Sequence, residues 1–267
     1  LSAKDFKKSK KLIFISDDKK LSDCNIFFVT VPTPVNKKNL PDLRNLKSAT
    51  KTVALNLNKG DIVVYESTVY PGLTEEILVP ILEKYSKLEY IKDFNCSYSP
   101  ERINPGDKKH KLQNIVKVVS ASNKKTLKIV KHIYKSVIKS KVYVAKNIKT
   151  AEAAKVIENT QRDLNISLIN ELSIIFKKLN INIYDVLKAA STKWNFINFK
   201  PGLVGGHCIG VDPYYLTYKA KKVGYDPKII LAGRKINNLM GTYVSNLVLK
   251  KMKQKKINIK KAKILIM

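Results

Sequence analysis

The stretch that decides the fold is NIFFVTVPTPVNKKNLPDLRNLKSATKTVALNLNKGDIVVYESTVYPG, residues 25–72. It opens on a short β-branched and aromatic run, 26–31, and closes on another, 62–65, with a helical pattern at 43–57 between them. Strand, helix, strand at this spacing specifies a crossover unit with parallel strands, because two parallel neighbours need a long connection that returns the chain to the same edge. The pattern continues outward. Further strands are expected at 12–15, 95–98, 115–119 and 142–144, and further helices at 73–85 and 122–139. The fold class is therefore α/β: a Rossmann-like, doubly wound parallel sheet.

Ligands of such sheets bind beyond the carboxyl ends of the strands. Three loops fall there: VPTPVNKKNLPD (31–42), ESTVYPG (66–72) and SPERINPGD (99–107). Each carries prolines with polar side chains. Three such loops at equivalent topological places suggest one shared pocket rather than three separate turns.

From about residue 148 the pattern becomes wholly helical. Thr150 is expected to cap a long helix through 179 whose apolar positions wrap most of its circumference, as in a buried helix. Helices at 183–190, 213–223 and 227–253 follow, and the tail KAKILIM reads as the first strand of another unit. The expected organisation is a doubly wound ligand-binding domain over 1–147, a helical central domain over 148–256, and the beginning of a third domain over 257–267.

Composition narrows the function classes. The chain has 267 residues, 44% of them hydrophobic, which is enough to fill a core and excludes a disordered polyelectrolyte. Its 51 basic and 21 acidic residues give a net charge of +30. Such a balance would suit a polyanion partner, but only Arg44, Arg102, Arg162 and Arg234 are arginine, the side chain best suited to bidentate phosphate and base contacts. The lysines are scattered rather than clustered, so no nucleic-acid partner is expected. Cys24, Cys96 and Cys208 lack metal-ligand or disulfide spacing, and His110 and His132 add none, so no metal site is expected and a reducing, cytoplasmic setting is. No apolar run approaches the roughly 18 residues of a membrane span, so no membrane partner is expected either.

The residues with most chemistry lie in GLVGGHCIGVDPYYL, 202–216, and AEAAKVIENTQRDLN, 151–165. Gly205 and Gly206 permit close approach of a ligand to the backbone, and Asp212-Pro213 reads as a helix cap followed by proline in the first turn. Cys208 then precedes a helix N-terminus, which favours its thiolate; the alternative is an inert cysteine in a tight turn, with His207 beside it a structural residue. Lys155 and Asn159 stand four residues apart on one helix face, either around a developing oxyanion or at a solvated helix edge. Glu101 and Arg102 follow a strand directly and offer a base and an anion partner, or only a surface ion pair. Ser67 and Thr68 offer hydroxyls to a ligand or to the turn itself.

Taken in order, VPTP, ESTVYPG, SPERINPGD, AEAAKVIENTQRD, NELS and GGHCIGVDPYYL resemble the UDP-glucose/GDP-mannose dehydrogenase family over nearly the whole chain, and SPERINPGD, TKWNF and GGHCIGVDPYYL are most similar to its UDP-N-acetylhexosamine 6-dehydrogenase branch. The resemblance implies a four-electron oxidation of a sugar's primary alcohol to a carboxylate with two NAD. Cys208 would hold the aldehyde as a thiohemiacetal and then as a thioester. Lys155 would stabilise the oxyanion, Asn159 and Asp212 would position the hydroxyl and water, and Glu101 and Thr68 would serve thioester hydrolysis. Thr33, Ser67 and Thr68 would face the cofactor, while Glu101, Arg102, Lys155, Asn159, Gly202 and Gly205 would face the UDP-sugar. A homodimer through the central helices is implied as well. UDP-glucose is the neighbouring substrate choice, and a basic nucleic-acid-binding protein or an inactive fragment are the readings from other classes. No GxGxxG is present, so the expectation is a sheet truncated at its start.

Overall fold

The computed structural model describes residues 9, 11–103, 107, 109–206 and 209–266. It divides into two compact units, Leu1–Thr33 with Asp42–Ala153, and Pro34–Pro41 with Ala154–Met267.

The first unit is built on five strands, β1 (Ile26–Val29), β2 (Ile62–Tyr65), β3 (Asn95–Tyr98), β4 (Lys117–Ala121) and β5 (Val142–Val144), adjacent in that order. β1, β2 and β3 are mutually parallel, with Ile26 opposite Ile62 and Ile62 opposite Asn95. Helix α1 (Arg44–Ala54) makes the first crossover, and a π-helical turn, Thr74–Leu78, leading into α2 (Val79–Ser86) makes the second. Helix α3 (Lys124–Val137) joins β4 to β5, which are again parallel. The all-parallel expectation fails at one place: β4 runs antiparallel to β3. No helix lies between these two strands, only the short turn Leu112–Asn114 among the described residues, so the chain returns in the opposite direction.

Alternation along β2 fixes which helices cover which face. The Tyr65 hydroxyl donates to Thr50 Oγ1 of α1 at 3.2 Å, so Val63 and Tyr65 face that helix. Ile62 and Val64 point the other way, into a cluster with Val119 and with Val130, Tyr134 and Ile138 at and just beyond α3. Both faces are covered, which explains why β2 reads as an unbroken apolar run. At a few kcal/mol at most for each fully buried side chain such as Leu46, Val63 or Leu82, this two-sided core stabilises the sheet.

Two expected strands do not form. Residues 12–15 join no strand ladder among the described residues, and Ile13 is 80% exposed. Strand propensity supplies no stability without a neighbour to complete the ladder. In the tail, Ile259–Lys261 is a short 3₁₀ turn and Ile264, Leu265 and Ile266 are exposed.

The long helix α4 (Ile148–Lys178) runs from the first unit into the second, where α5 (Ile183–Ala190), α6 (Asp212–Lys222) and α7 (Lys228–Gln254) follow. The cap of α4 is Asn147, not Thr150: Asn147 Oδ1 accepts from the Thr150 amide at 2.8 Å. Burial round α4 is also incomplete, with Ile157, Leu168 and Ile175 exposed. Helix α7 passes close to α4 at Gly233, where a Cβ would run into Leu164 and lie 2.9 Å from Ser167 Oγ.

Candidate active site

Helix α4 carries the polar half of the candidate site. Glu152, Lys155, Asn159, Asp163, Ser167 and Asn170 are all buried, and their spacing of three or four residues draws one stripe down the helix. A buried polar stripe is costly unless its groups find partners, and here each residue has at least one, although Asp163 Oδ2 accepts no hydrogen bond.

The sequence-predicted trio is brought together. Asn159 Nδ2 donates to Asp212 Oδ2 at 2.6 Å, and Lys155 Nζ lies 3.9 Å from the same oxygen. Asp212 is not the helix cap; it is the first residue of α6, after Val211, and its carboxylate turns to α4 instead. Burial pushes its pKa up to about 6, opposed by the Asn159 hydrogen bond and the Lys155 charge and assisted by Glu158. The arrangement can stabilise negative charge through the ammonium and the amide, and it holds a carboxylate that changes protonation near neutrality.

Further down the stripe, Asp163 Oδ1 accepts from Arg234 Nη1 at 2.6 Å and from Asn237 Nδ2 at 2.7 Å. Asn237 Oδ1 accepts from Asn170 Nδ2 at 2.8 Å. Asn170 also holds Gly202 at both backbone atoms, donating to its carbonyl and accepting from its amide at 2.9 Å each. Gly202 is thus fixed to α4, while a Cβ on Gly205 would meet nothing within 4 Å, so packing among the described residues does not demand glycine there. Gly206 has φ +79°, the left-handed region that glycine enters freely. Cys208 and His207 lie outside the described residues.

In the first unit the loops after β1, β2 and β3 are tied to one another. Ser67 Oγ donates to Val31 O at 2.7 Å, Ser99 N to Tyr65 O at 2.9 Å, and Glu101 N to Glu66 O at 3.4 Å. The Ser67 hydroxyl is therefore spent on bracing the VPTP loop. Thr33 and Thr68 are half-buried beside these ties. Glu101 is exposed, and its carboxylate accepts from the Ile103 amide within its own turn. Arg102 donates to Val116 O at 2.8 Å, which anchors the loop to the segment before β4.

Sequence reasoning missed Glu152. Its two carboxylate oxygens accept from Gly72 N at 2.5 Å and Thr74 N at 2.9 Å, bracing the end of ESTVYPG. Burial raises its pKa to about 7 despite those bonds. The signal was the helical spacing itself: Glu152 lies one turn before Lys155 and two before Asn159 on the same stripe. Among the described residues there is no group of three metal-ligating side chains, and no helix is long and apolar enough to cross a membrane. Burial pushes the thiol pKa of Cys96, the buried described cysteine, well above its ordinary value.

A mostly parallel sheet covered on both faces, with hydroxyl-bearing loops at the carboxyl ends of three strands, defines a dinucleotide-binding domain of the dehydrogenase type, here continued by a helical domain. Comparison with known proteins makes this specific. Residues 2–138 match the NAD binding domain of the UDP-glucose/GDP-mannose dehydrogenase family, and residues 149–239 match its central domain. The chain belongs to that family. It is 55% identical over 263 residues to UDP-N-acetyl-D-glucosamine 6-dehydrogenase of Salmonella typhi, covering 98% of this chain and 62% of that protein. It is 56% identical over 245 residues to Protein CapL of Staphylococcus aureus, covering 92% of this chain and 58% of that one. Among solved structures, UDP-D-ManNAc dehydrogenase from Pyrococcus horikoshii superposes with a TM-score of 0.87 at 31% identity, over 95% of this chain and 60% of that one. The chain therefore spans about three-fifths of the length of these relatives.

NAD is the cofactor of the matched domain. The residues present fit it: half-buried Thr33 and Thr68 stand at the carboxyl ends of parallel strands on loops already cross-tied through Ser67.

Proposed function

We propose that this chain holds the reaction centre of an NAD-dependent 6-dehydrogenase that converts the primary alcohol of a UDP-N-acetylhexosamine to a carboxylate. The observation that carries this reading is the buried set of Lys155, Asn159 and Asp212, an ammonium, an amide and a carboxylate gathered around one oxygen. A stable core has no need of these groups, so their burial calls for a function.

When bound, NAD supplies the acceptor for two hydrides in succession. The chain's residues would do the rest. Lys155 stabilises the alkoxide as the alcohol gives up its proton, with Asp212, near half-protonation around pH 6, able to receive it. The Cys208 thiolate adds to the resulting aldehyde carbon to give a thiohemiacetal, and the second oxidation leaves a thioester. Water then adds to the thioester carbonyl, and the carbon–sulfur bond breaks to release the carboxylate and return the thiolate. Asn159 orients the hydroxyl, Glu101 assists the water, and Thr68 helps to place it. Thr33 and Thr68 face NAD, with Ser67 bracing them. Arg102 and the segment from Gly202 to Gly205 face the UDP-sugar.

The relatives' names support an acetamido sugar over UDP-glucose. A cytoplasmic enzyme that pairs through its central helices fits the same reading, and exposed Leu168 and Ile175 on α4 supply apolar surface for that pairing. The test is NADH formation with UDP-N-acetylhexosamines and with UDP-glucose, using the chain and a version extended to its relatives' length. Uronate and two NADH per sugar are expected. NADH from neither form with any UDP-sugar would overturn the assignment.

A further inference from the structure

We propose that Lys117, a lysine in the sheet that no part of the reaction uses, is the positioning residue for Glu101; this rests on the function proposed above. Lys117 opens β4 and is 1% exposed. An ammonium taken out of water costs several kcal/mol unless its protons are all met, and here three acceptors meet its three protons. Glu66 Oε1 lies at 3.1 Å, the Pro100 carbonyl at 3.1 Å and the Ser99 carbonyl at 3.3 Å. The face of the Tyr134 ring covers the charge at 4.9 Å, and the Tyr134 hydroxyl donates to the same Glu66 oxygen.

What these partners share is their place in the chain. Ser99 and Pro100 immediately precede Glu101, and Glu66 opens the ESTVYPG loop and accepts the Glu101 amide through its own carbonyl. A single buried charge thus gathers the ends of β2 and β3 and sets where the backbone releases the Glu101 side chain. Ser99 Oγ adds a tie to Val118 O at 2.7 Å, and Arg102 one to Val116 O, so residues on both sides of Glu101 are fastened to the β4 segment. An apolar side chain of the same length would fill the space at no desolvation cost but would take this donor from the two carbonyls and leave Glu66 with the Tyr134 hydroxyl and no cation. Lysine suits this role better than arginine, because its compact, rotatable donors can reach three acceptors in different directions.

The test compares wild type with Lys117→Met in two ways. Amide hydrogen exchange is expected to rise in residues 97–103 and 66–68 while β1 and α1 keep their protection. In rapid mixing with NAD and UDP-sugar, Lys117→Met is expected to keep a full burst of NADH and then turn over about ten- to a hundredfold more slowly, with KM falling alongside kcat so that kcat/KM is little changed, because only the water step loses its aim. A structural role alone would shrink the burst instead. Unchanged exchange at 97–103, or a smaller burst with normal later turnover, would overturn the proposal. If Lys117→Met does not fold, Tyr134→Phe removes one donor to Glu66 and must give the same signature in weaker form; its absence counts against the proposal equally. The exchange arm needs no turnover, so a wild type inactive on every UDP-sugar would sink the functional reading while exchange still judges Lys117.

Discussion

The two units spend their buried polar groups differently. In the sheet unit most bonds at the loop ends run from a side chain to the backbone: Ser67 to Val31, Lys117 to Ser99 and Pro100, Glu152 to Gly72 and Thr74. In the helical unit the main bonds run between side chains: Asn159 to Asp212, Arg234 to Asp163, Asn237 to Asn170. The first kind fixes where the chain goes. The second fixes where charge sits and how it responds to its neighbours. Mutations should divide accordingly, with chemistry and charge-linked stability failing in the helical unit and loop order failing in the sheet unit.

The sharpest break is Cys208→Ser, expected to abolish uronate formation by about a thousandfold or more, measured by mass spectrometry of the product. Unchanged uronate production would remove the covalent step from the reading. Lys155→Met should lower kcat by about a hundred- to a thousandfold through loss of oxyanion stabilisation, and it should move the Asp212 titration above about 6, since the ammonium holds that value down. A variant whose rate falls without any shift in the titration would separate the two groups.

Arg234→Met leaves Asp163 buried without its cation, and denaturant melts should show about 3–5 kcal/mol of lost stability. A loss below about 1 kcal/mol would mean that Asn237 alone suffices for the carboxylate.

Asp212 makes a pH forecast of definite sign. Its folded pKa of about 6 exceeds the ordinary 3.8, so between those values the folded state binds more protons than the unfolded one. Stability from this group is therefore full below about pH 4, falls as pH rises toward 6, and stays lost above it, a change of about 3 kcal/mol. Glu152, raised to about 7, adds a decline of the same sign at higher pH. Asp212→Asn should flatten only the lower part of the curve; an unaltered pH profile would count against the raised value. The smallest effect belongs to the backbone-fixing kind: Ser67→Ala should cost about 1 kcal/mol by thermal melting, with at most a modest rise in KM for NAD. A large rise would instead give the hydroxyl to the cofactor.

Much of the architecture was legible because it rests on local pattern. The apolar runs of β1 and β2 and the period of α1 and α3 are written in adjacent residues. Residues 12–15 carry the same pattern and form no strand, since pattern records propensity and not the presence of a neighbouring strand. Lys155, Asn159 and Asp212 were singled out through family motifs and the four-residue spacing of the first two, but the rest of the α4 stripe was not, because apolar residues on the other faces made the helix read as apolar all round. Nor were the distant partners: nothing local links Asn170 to Gly202, or Glu152 to Gly72. Lys117 was hidden by composition, because one lysine among so many carries no mark of being buried.

One consequence of the α4 stripe concerns the span between its two outer grips on the glycine-rich segment. Asn159 holds Asp212 and Asn170 holds Gly202, so that segment stands on two footings along a single rod, eleven residues or about 17 Å apart. The ten steps of chain between the footings can reach about 33–36 Å. The connection therefore has roughly twice the length that the distance between its footings requires, and lengthening it by one residue should leave both footings in place.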